Sequence, residues 1–245
     1  MLIPLLFFNR LRAFRCDSNN YNSQSPVTTS KLHIFTDFDG TITDTDSLVF
    51  LTRELGGGLP VLERVGQQLR ANTMTLRDGI TTEMATITAS FAEAETLLRK
   101  SIKVDPAFPA FVQWCRANQL PLTVLSAGFH EVIDLFLPLT EFPDLEILAS
   151  RIQPLPTGWQ CVFRDDSDYG HDKAAAIQQA RAAGFHTIFI GDGLSDRASA
   201  EVADEVLAKR YLAEYCRAQG IACREFRTFA EALQLIAHSL QHRVA

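Results

Sequence analysis

Asp37 and Asp39 are the residues whose types and spacing point most directly to chemistry. They lie two positions apart after the mostly apolar run 32–35, and Gly40 and Thr41 follow them. Neighbouring carboxylates repel each other and resist burial, so such a pair usually needs a cation or a shared proton. Mg²⁺ meets that need because it prefers hard oxygen ligands and keeps positions open for water and a substrate phosphate. The alternative is a strand that ends in a turn, in which both aspartates serve only the backbone.

A second polar position follows the apolar run 121–125. There Ser126 precedes the small residues Ala127 and Gly128. A hydroxyl and the backbone N–H groups of small residues are the donors that a phosphate oxygen accepts from at a strand-to-helix junction. The alternative role for Ser126 is that of a helix cap.

Lys173 is a third candidate. It opens the alanine-rich run 173–180, which is typical of a helix. A lysine in the first turn of a helix opposes the helix dipole, and this mildly unfavourable position favours a role facing an anion. The alternative is a solvated surface lysine.

Two further carboxylates follow the apolar run 187–190. Asp192 is expected at the tip of a strand and Asp196 in the first turn of the next helix, where a carboxylate is also favourable as an ordinary cap. In open α/β sheets, ligands bind outside the carboxyl ends of the strands, which is where all four stretches end. Together the stretches predict a phosphoryl-transfer site.

These four stretches, in this order, resemble the four motifs of the haloacid dehalogenase superfamily of phosphatases, over roughly residues 31–240. The resemblance implies that Asp37 is the nucleophile and Asp39 the general acid and base. It also implies that phosphate is bound by Ser126, by the backbone at Ala127 and by Lys173.

The cofactor implied by the same resemblance is Mg²⁺. Its ligands would be Asp37, the backbone carbonyl of Asp39, and Asp192. Asp196 would support the metal and Lys173 from behind. The reaction would be hydrolysis of a small-molecule phosphomonoester through a phospho-aspartate.

The fold class predicted for the chain is α/β, with a Rossmann-like three-layer core, a mainly parallel sheet and a small inserted helical cap. We expect the core over residues 31–45 and 103–245, and the cap over residues 46–102. The cap shows helical apolar spacing at residues 47–55, 61–71, 76–91 and 93–100, and a further helix is expected at 106–118. Strands at 145–150 and 159–163 are expected to form a hairpin.

The helical insertion resembles that of phosphoserine phosphatase and its relatives. Residues 75–80 and 203–209 resemble the methionine-salvage phosphatases that act on 2-hydroxy-3-keto-5-methylthiopentenyl-1-phosphate. Asp46 stands where phosphoserine phosphatases usually carry a glutamate. We therefore expect Asp46 and Arg77 to face the variable end of the substrate; the alternative is a surface pair on the helices.

Three other functions remain open at this point. Phosphocholine-type phosphatases carry similar motifs, and a phosphotransferase would use an acceptor alcohol in place of water. A non-catalytic domain that binds a phosphorylated ligand or signals is the alternative of a different class. Retention of Asp39, Lys173 and Asp192 together favours catalysis, because a binding domain does not need a general acid.

The composition limits the partners and the compartment. The formal charge is −6 and no basic block is present, which argues against a nucleic-acid partner. No apolar stretch approaches the ~18 residues of a membrane span. The five cysteines lack CxxC spacing, which favours reduced thiols and a cytoplasmic protein, here expected as a monomer or homodimer. Residues 1–30 are expected to be a disordered tail, with organellar targeting by residues 1–16 as the alternative.

Overall fold

A single twisted sheet forms the centre of the molecule in the computed structural model, which describes residues 31–243. Its spatial order is β4-β3-β2-β1-β5-β6-β7; β3 and β4 pair antiparallel, and the other neighbours pair parallel. The strands are β1 (Lys31–Thr36), β2 (Leu122–Phe129), β3 (Glu146–Gln153), β4 (Gln160–Val162), β5 (Phe185–Gly191), β6 (Glu205–Ala208) and β7 (Arg224–Glu225).

Helices cover both faces of this sheet and also form an insertion after β1. The α-helices are α1 (Ser47–Leu55), α2 (Gly58–Arg70), α3 (Leu76–Met84), α4 (Phe91–Ser101), α5 (Phe108–Ala117), α6 (His130–Phe136), α7 (Lys173–Ala182), α8 (Arg197–Val202), α9 (Arg210–Gln219) and α10 (Phe229–Arg243). A short 3-10 helix spans Leu194–Asp196. Within residues 31–243, every helix is too short or too polar to span a lipid bilayer.

Strand β1 is buried on both faces because its apolar side chains alternate between two cores. Ile34 packs in the core that contains Phe108 of α5 and Phe229 of α10. Phe35 packs in the second core, with Ile177 of α7. Burial of each such side chain stabilises the fold by about 1.5–3 kcal/mol. The predicted three-layer α/β fold is confirmed.

Helices α1–α4, here called the helical insertion, begin at side-chain caps. Asp46 caps α1, Thr75 caps α3, and Ser90 forms a capping box with Glu93 at the start of α4. These caps satisfy backbone N–H groups that have no partner inside the helix. The boundaries of a separate cap domain at residues 46 and 102 stay predictions, and the predicted tail lies outside the described residues.

Several predicted boundaries were wrong by a few residues. The predicted helix 76–91 is two elements: α3 ends at Met84, and α4 begins at Phe91. The chain between them binds Trp159, whose backbone N–H donates to Ile87 O at 3.0 Å and whose ring N–H donates to Ala89 O at 2.8 Å. These long-range bonds replace the helical ones.

The predicted hairpin is confirmed as the antiparallel β3–β4 pair, although β3 runs on to Gln153. Strand β2 also continues beyond Ser126, where the sequence predicted that it ends, and reaches Phe129. Its pairing with β3 is interrupted between Leu125 and Phe129. Residues 126–128 therefore have no paired residue in β3, as at a β-bulge.

Candidate active site

The carboxyl ends of β1 and β5 bring the predicted carboxylates together. Thr36 pairs with Ile190, and the backbone N–H of Asp37 donates to Ile190 O at 2.9 Å. Asp37 and Asp192 are thus the first residues beyond two adjacent strands. The side chain of Asp37 is buried, and burial together with the Asp196 carboxylate raises its pKa well above the ordinary value, against the opposing effect of Lys173.

Lys173 joins two of these carboxylates. Its Nζ donates to Asp37 Oδ1 at 2.6 Å and to Asp196 Oδ1 at 2.8 Å, and its side chain is only 3% exposed. Burial by itself would lower the pKa of Lys173, but the carboxylates of Asp196 and Asp37 raise it above the ordinary value. The lysine is therefore a fixed positive charge between two buried acids, and not a solvated surface residue.

Asp196 organises the turn that follows β5. Its Oδ2 accepts hydrogen bonds from the backbone N–H groups of Asp192 and Gly193, both at 3.0 Å. With Oδ1 bound to Lys173, both oxygens of this fully buried carboxylate have donors. Asp196 thus fixes the positions of Lys173 and Asp192 at once.

Asp39 lies beside the same cavity but contacts a different element. Its Oδ1 accepts a hydrogen bond of 2.8 Å from the backbone N–H of Ser47, at the start of α1. Burial and the nearby Asp46 carboxylate raise the pKa of Asp39 to about 7. A carboxyl group with a pKa near the working pH can both give and accept a proton.

Ser126 is held in place by a histidine that the sequence reasoning missed. The Ser126 Oγ accepts from the backbone N–H of Gly128 at 2.9 Å, which leaves its hydroxyl proton available to a ligand. The Nδ1 of His171 lies 2.9 Å from Ser126 O. Burial lowers the pKa of His171 to about 4, so its ring is neutral and Nδ1–H is the donor to this carbonyl. Ala127 is partly exposed and lines the cavity.

Lys209 and Arg210 were also missed as parts of the site. Lys209 Nζ donates to Thr41 O at 2.9 Å. Arg210 donates to Gly40 O at 3.1 Å, to Asp44 O at 3.0 Å, and to the Asp192 carboxylate at 3.2 Å. These bonds hold the turn after β1 against Asp192. Arg210 carried no usable sequence signal, because its contacts are far along the chain and its backbone has a left-handed φ of 52°.

The cavity above these groups has a volume of about 230 Å³. Asp37, Asp39, Ser126 and Asp192 lie on one side of it. The helical insertion supplies another wall, whose side chains are Asp46, Leu48, Val49, Leu69, Leu76, Ile80 and Glu83.

Asp46 and Arg77, the two residues predicted to face the substrate, are not brought together. Asp46 lines the cavity while its Oδ1 accepts from the backbone N–H of Val49. Arg77 is not among the described residues that line it. Its guanidinium donates to Asp165 O at 3.0 Å and lies 4.2 Å from the ring centroid of Phe163. In this structure Arg77 ties α3 to the loop that precedes α7.

Glu83 is a cavity residue that the sequence reasoning passed over. It follows Leu76 and Ile80 on the same face of α3, at positions that are usually apolar in an amphipathic helix. An acidic residue at such a position was the signal that could have identified it.

The carboxylates can hold a divalent cation. One oxygen from each of Asp37, Asp192 and Asp196 lies within 4.8 Å of the others. Lys173 and Arg210 supply two positive charges against three carboxylates, which leaves negative charge uncompensated, and oxygen donors of this kind suit Mg²⁺. The donor set therefore fits the metal that the sequence predicted.

The sequence itself matches a known family over most of the described chain. Residues 34–201 match the profile of the haloacid dehalogenase-like hydrolases. The chain belongs to this family. The haloacid dehalogenase-like assignment made from the motifs is thus confirmed.

Curated relatives of this haloacid dehalogenase-like hydrolase include two fungal proteins. Pdp3-interacting factor 1 of Schizosaccharomyces pombe is 34% identical over 82% of this chain and 93% of its own length. Polyol phosphate phosphatase PYP1 of Saccharomyces cerevisiae is 30% identical over 83% of this chain and 91% of its own. A 2-hydroxy-3-keto-5-methylthiopentenyl-1-phosphate phosphatase of Brevibacillus brevis is 24% identical over 87% and 99% of the two chains.

The fold also resembles that of phosphoserine phosphatase. A solved structure of the substrate-bound phosphoserine phosphatase complex aligns with a TM-score of 0.65 at 16% identity, over 84% of this chain and 98% of that one. The family match and the curated relatives named as phosphatases together identify the chain as a phosphoric monoester hydrolase.

Proposed function

We propose that this protein hydrolyses a small-molecule phosphomonoester, with Mg²⁺ as cofactor, through a phospho-aspartate intermediate on Asp37. The observation that carries the proposal is the buried contact of Lys173 with both Asp37 and Asp196, next to Asp192. A carboxylate that attacks a phosphate dianion brings like charges together, so catalysis must come mainly from positioning and charge neutralisation.

In the first half-reaction, an oxygen of Asp37 attacks phosphorus while the bond to the alkoxide breaks. Asp39 gives its proton to the departing oxygen, and its pKa of about 7 suits that transfer. In the second half-reaction, Asp39 takes a proton from the water that attacks the phospho-aspartate. Asp37 is restored and inorganic phosphate leaves.

The remaining residues bind and orient the phosphate. The Ser126 hydroxyl, the backbone N–H at Ala127 and the Lys173 ammonium are donors suited to its oxygens. Mg²⁺, held by Asp37, the Asp39 carbonyl and Asp192, would supply further neutralisation of negative charge. Asp196 keeps Lys173 and Asp192 in position.

The motifs do not distinguish between substrate classes, but the relatives favour some of them. Phosphorylated polyols and methylthio-ketopentose phosphates are supported by the names of the curated relatives, and phosphoserine by the likeness of the fold alone. Phosphocholine and phosphoethanolamine, and transfer to an alcohol in place of water, are the alternatives. The yield of inorganic phosphate against transferred phosphoester separates hydrolase from phosphotransferase.

The test uses the full chain with p-nitrophenyl phosphate. We expect turnover with Mg²⁺, none with a chelator, and none in Asp37→Asn. Asp134→Asn is the matched control, because Asp134 is an exposed aspartate of α6 and is not among the described residues that line the cavity. Full activity in chelator or in Asp37→Asn would overturn the mechanism, and a wild-type protein that binds phosphate without turnover would favour the non-catalytic class.

A further inference from the structure

Glu83 is a buried acid without a partner. Its residue is 8% exposed, it lies in α3, and it lines the same cavity as Asp37 and Asp39. Its carboxyl group makes no hydrogen bond or ion pair with any residue that the structure describes. Burial, and secondarily the Asp46 carboxylate, raise the pKa of Glu83 to about 7.

An unpaired buried carboxyl group is costly for folding. A buried polar group left without a hydrogen bond costs about 1–3 kcal/mol, and a charged one costs more. The surrounding wall consists largely of Leu48, Leu69, Leu76 and Ile80, which offer no donor. The Glu83 oxygens are not fully enclosed, so a donor can reach them through the cavity, and a ligand there that donates hydrogen bonds would gain binding energy.

The same wall does not suit a ligand that carries a carboxylate. Among the described residues lining the cavity, Arg210 alone is cationic, and its guanidinium is already bonded to Gly40, Asp44 and Asp192. A substrate carboxylate there would meet the like charge of Asp46 and, once it is ionised, of Glu83. Like charges in a partly desolvated site disfavour binding strongly.

We propose that Glu83, together with Asp46, accepts hydrogen bonds from hydroxyl groups on the carbon chain of the substrate, so that the enzyme prefers phosphorylated polyols to phosphorylated acids. This inference rests on the proposed phosphomonoester hydrolysis. Apolar side chains around the two acids then pack against the carbon skeleton. Glu83 is assigned here as a residue that determines specificity, separate from the residues that carry the chemistry.

Two matched pairs of substrates test the preference in the wild-type chain. Glycerol 3-phosphate and 3-phosphoglycerate differ only by a terminal hydroxymethyl group in place of a carboxylate. Phosphoethanolamine and phosphoserine differ by one added carboxylate. We expect the substrate without a carboxylate to have the higher kcat/KM in each pair. A higher kcat/KM for either acid would overturn the proposal.

Variants at position 83 test the residue itself. Glu83→Leu should lower kcat/KM for glycerol 3-phosphate by about tenfold, mostly through KM, and leave p-nitrophenyl phosphate nearly unchanged. Glu83→Gln keeps a side-chain oxygen that accepts hydrogen bonds, so its kcat/KM for glycerol 3-phosphate should fall less. Glu63→Leu, at an exposed position of α2, is the control. Equal losses on both substrates would mean that Glu83 has only a structural role.

Two readouts keep this test separate from that of the proposed function. If the wild-type chain does not turn over p-nitrophenyl phosphate, the hydrolase proposal fails first. If it does, and the Glu83 variants show no selective loss, only the assignment of Glu83 fails. Should Glu83→Leu not fold, Glu83→Gln and the wild-type pairs still decide the outcome.

Discussion

The carboxylate of Asp39 accepts its 2.8 Å hydrogen bond from the backbone N–H of Ser47, the first residue of α1. The proposed general acid of the core is thus tied to the start of the helical insertion. Gly128 approaches the other oxygen so closely that an added Cβ would lie 2.5 Å from Asp39 Oδ2. Any movement of α1 on substrate binding would therefore change the position of the acid.

Asp39→Asn should separate the two half-reactions. Hydrolysis of an alkyl phosphate should fall by about 10²–10⁴-fold, because its alkoxide must be protonated as it leaves. Nitrophenolate leaves without a proton, so the first step with p-nitrophenyl phosphate should persist while the second becomes slow. Stopped-flow absorbance should show a burst of nitrophenolate equal to the enzyme concentration.

The control for that experiment is again Asp134→Asn, which should behave as the wild type. If Asp39→Asn lost turnover of both substrates to the same extent and showed no burst, the role of Asp39 in both steps would be contradicted.

Gly40→Ala should abolish activity, whereas Gly220→Ala should not. Both glycines have a left-handed φ, 76° and 68°, so alanine should cost each about 1 kcal/mol in stability. At Gly40 a Cβ would lie 2.4 Å from Asp192 Oδ2, while at Gly220 no atom lies within 4 Å. Melting temperatures should therefore fall in both variants, and turnover only in Gly40→Ala. Normal turnover in Gly40→Ala would show that the position of Asp192 is not critical.

Lys173→Met should destabilise the fold by about 3–5 kcal/mol, because it leaves the buried acids Asp37 and Asp196 without their cation. Asp196→Asn should cost less on its own, since its amide oxygen can still accept from the backbone N–H groups of Asp192 and Gly193. The double variant Lys173→Met/Asp196→Asn should recover part of the stability lost in Lys173→Met. Denaturant unfolding of the wild type, the two single variants and the double variant measures this coupling. Strictly additive losses would argue that the two side chains act independently.

Glu83→Gln should change how stability depends on pH. The pKa of Glu83 is raised in the folded protein from 4.5 to about 7, so the neutral acid is favoured by folding. The stability that this neutral acid contributes is fully present below pH 4.5 and is lost as the pH rises through about 7. Relative to the wild type, Glu83→Gln should therefore gain about 1–3 kcal/mol between about pH 5 and pH 8.

Thermal melting across this range, at fixed ionic strength and without added metal, measures that difference. Each kcal/mol corresponds to ~2–4 °C for a chain of this size. Glu63→Gln, an exposed residue, should show no such trend. A pH-independent difference between Glu83→Gln and the wild type would mean that the acid is ionised throughout.

The strands that carry the site could be predicted because each is a continuous apolar run ending in a polar residue. Burial on both faces, as for Ile34 and Phe35 of β1, leaves that signature in the sequence. The order of Asp37, Ser126, Lys173 and Asp192 along the chain then sufficed to indicate one common site.

What could not be predicted depends on contacts between distant residues. The end of α3 at Met84 follows from bonds to Trp159, and the position of Arg77 follows from a carbonyl 88 positions away. Arg210 acts through backbone carbonyls more than 160 positions earlier. Local periodicity contains no information about such partners.

The central position of β1 has a consequence for how the chain acquires activity. Its neighbours in the sheet are β2 and β5, and the Lys173–Asp37 contact spans 136 positions. During synthesis, β1 therefore leaves the ribosome long before either neighbour exists, and its apolar run stays without a partner while the helical insertion is made. Folding that depends on such distant pairings is slow and exposes strands to aggregation. On refolding from denaturant, the helical circular-dichroism signal should return before turnover does. Asp37, Lys173 and Asp192 meet only when the sheet closes around β1.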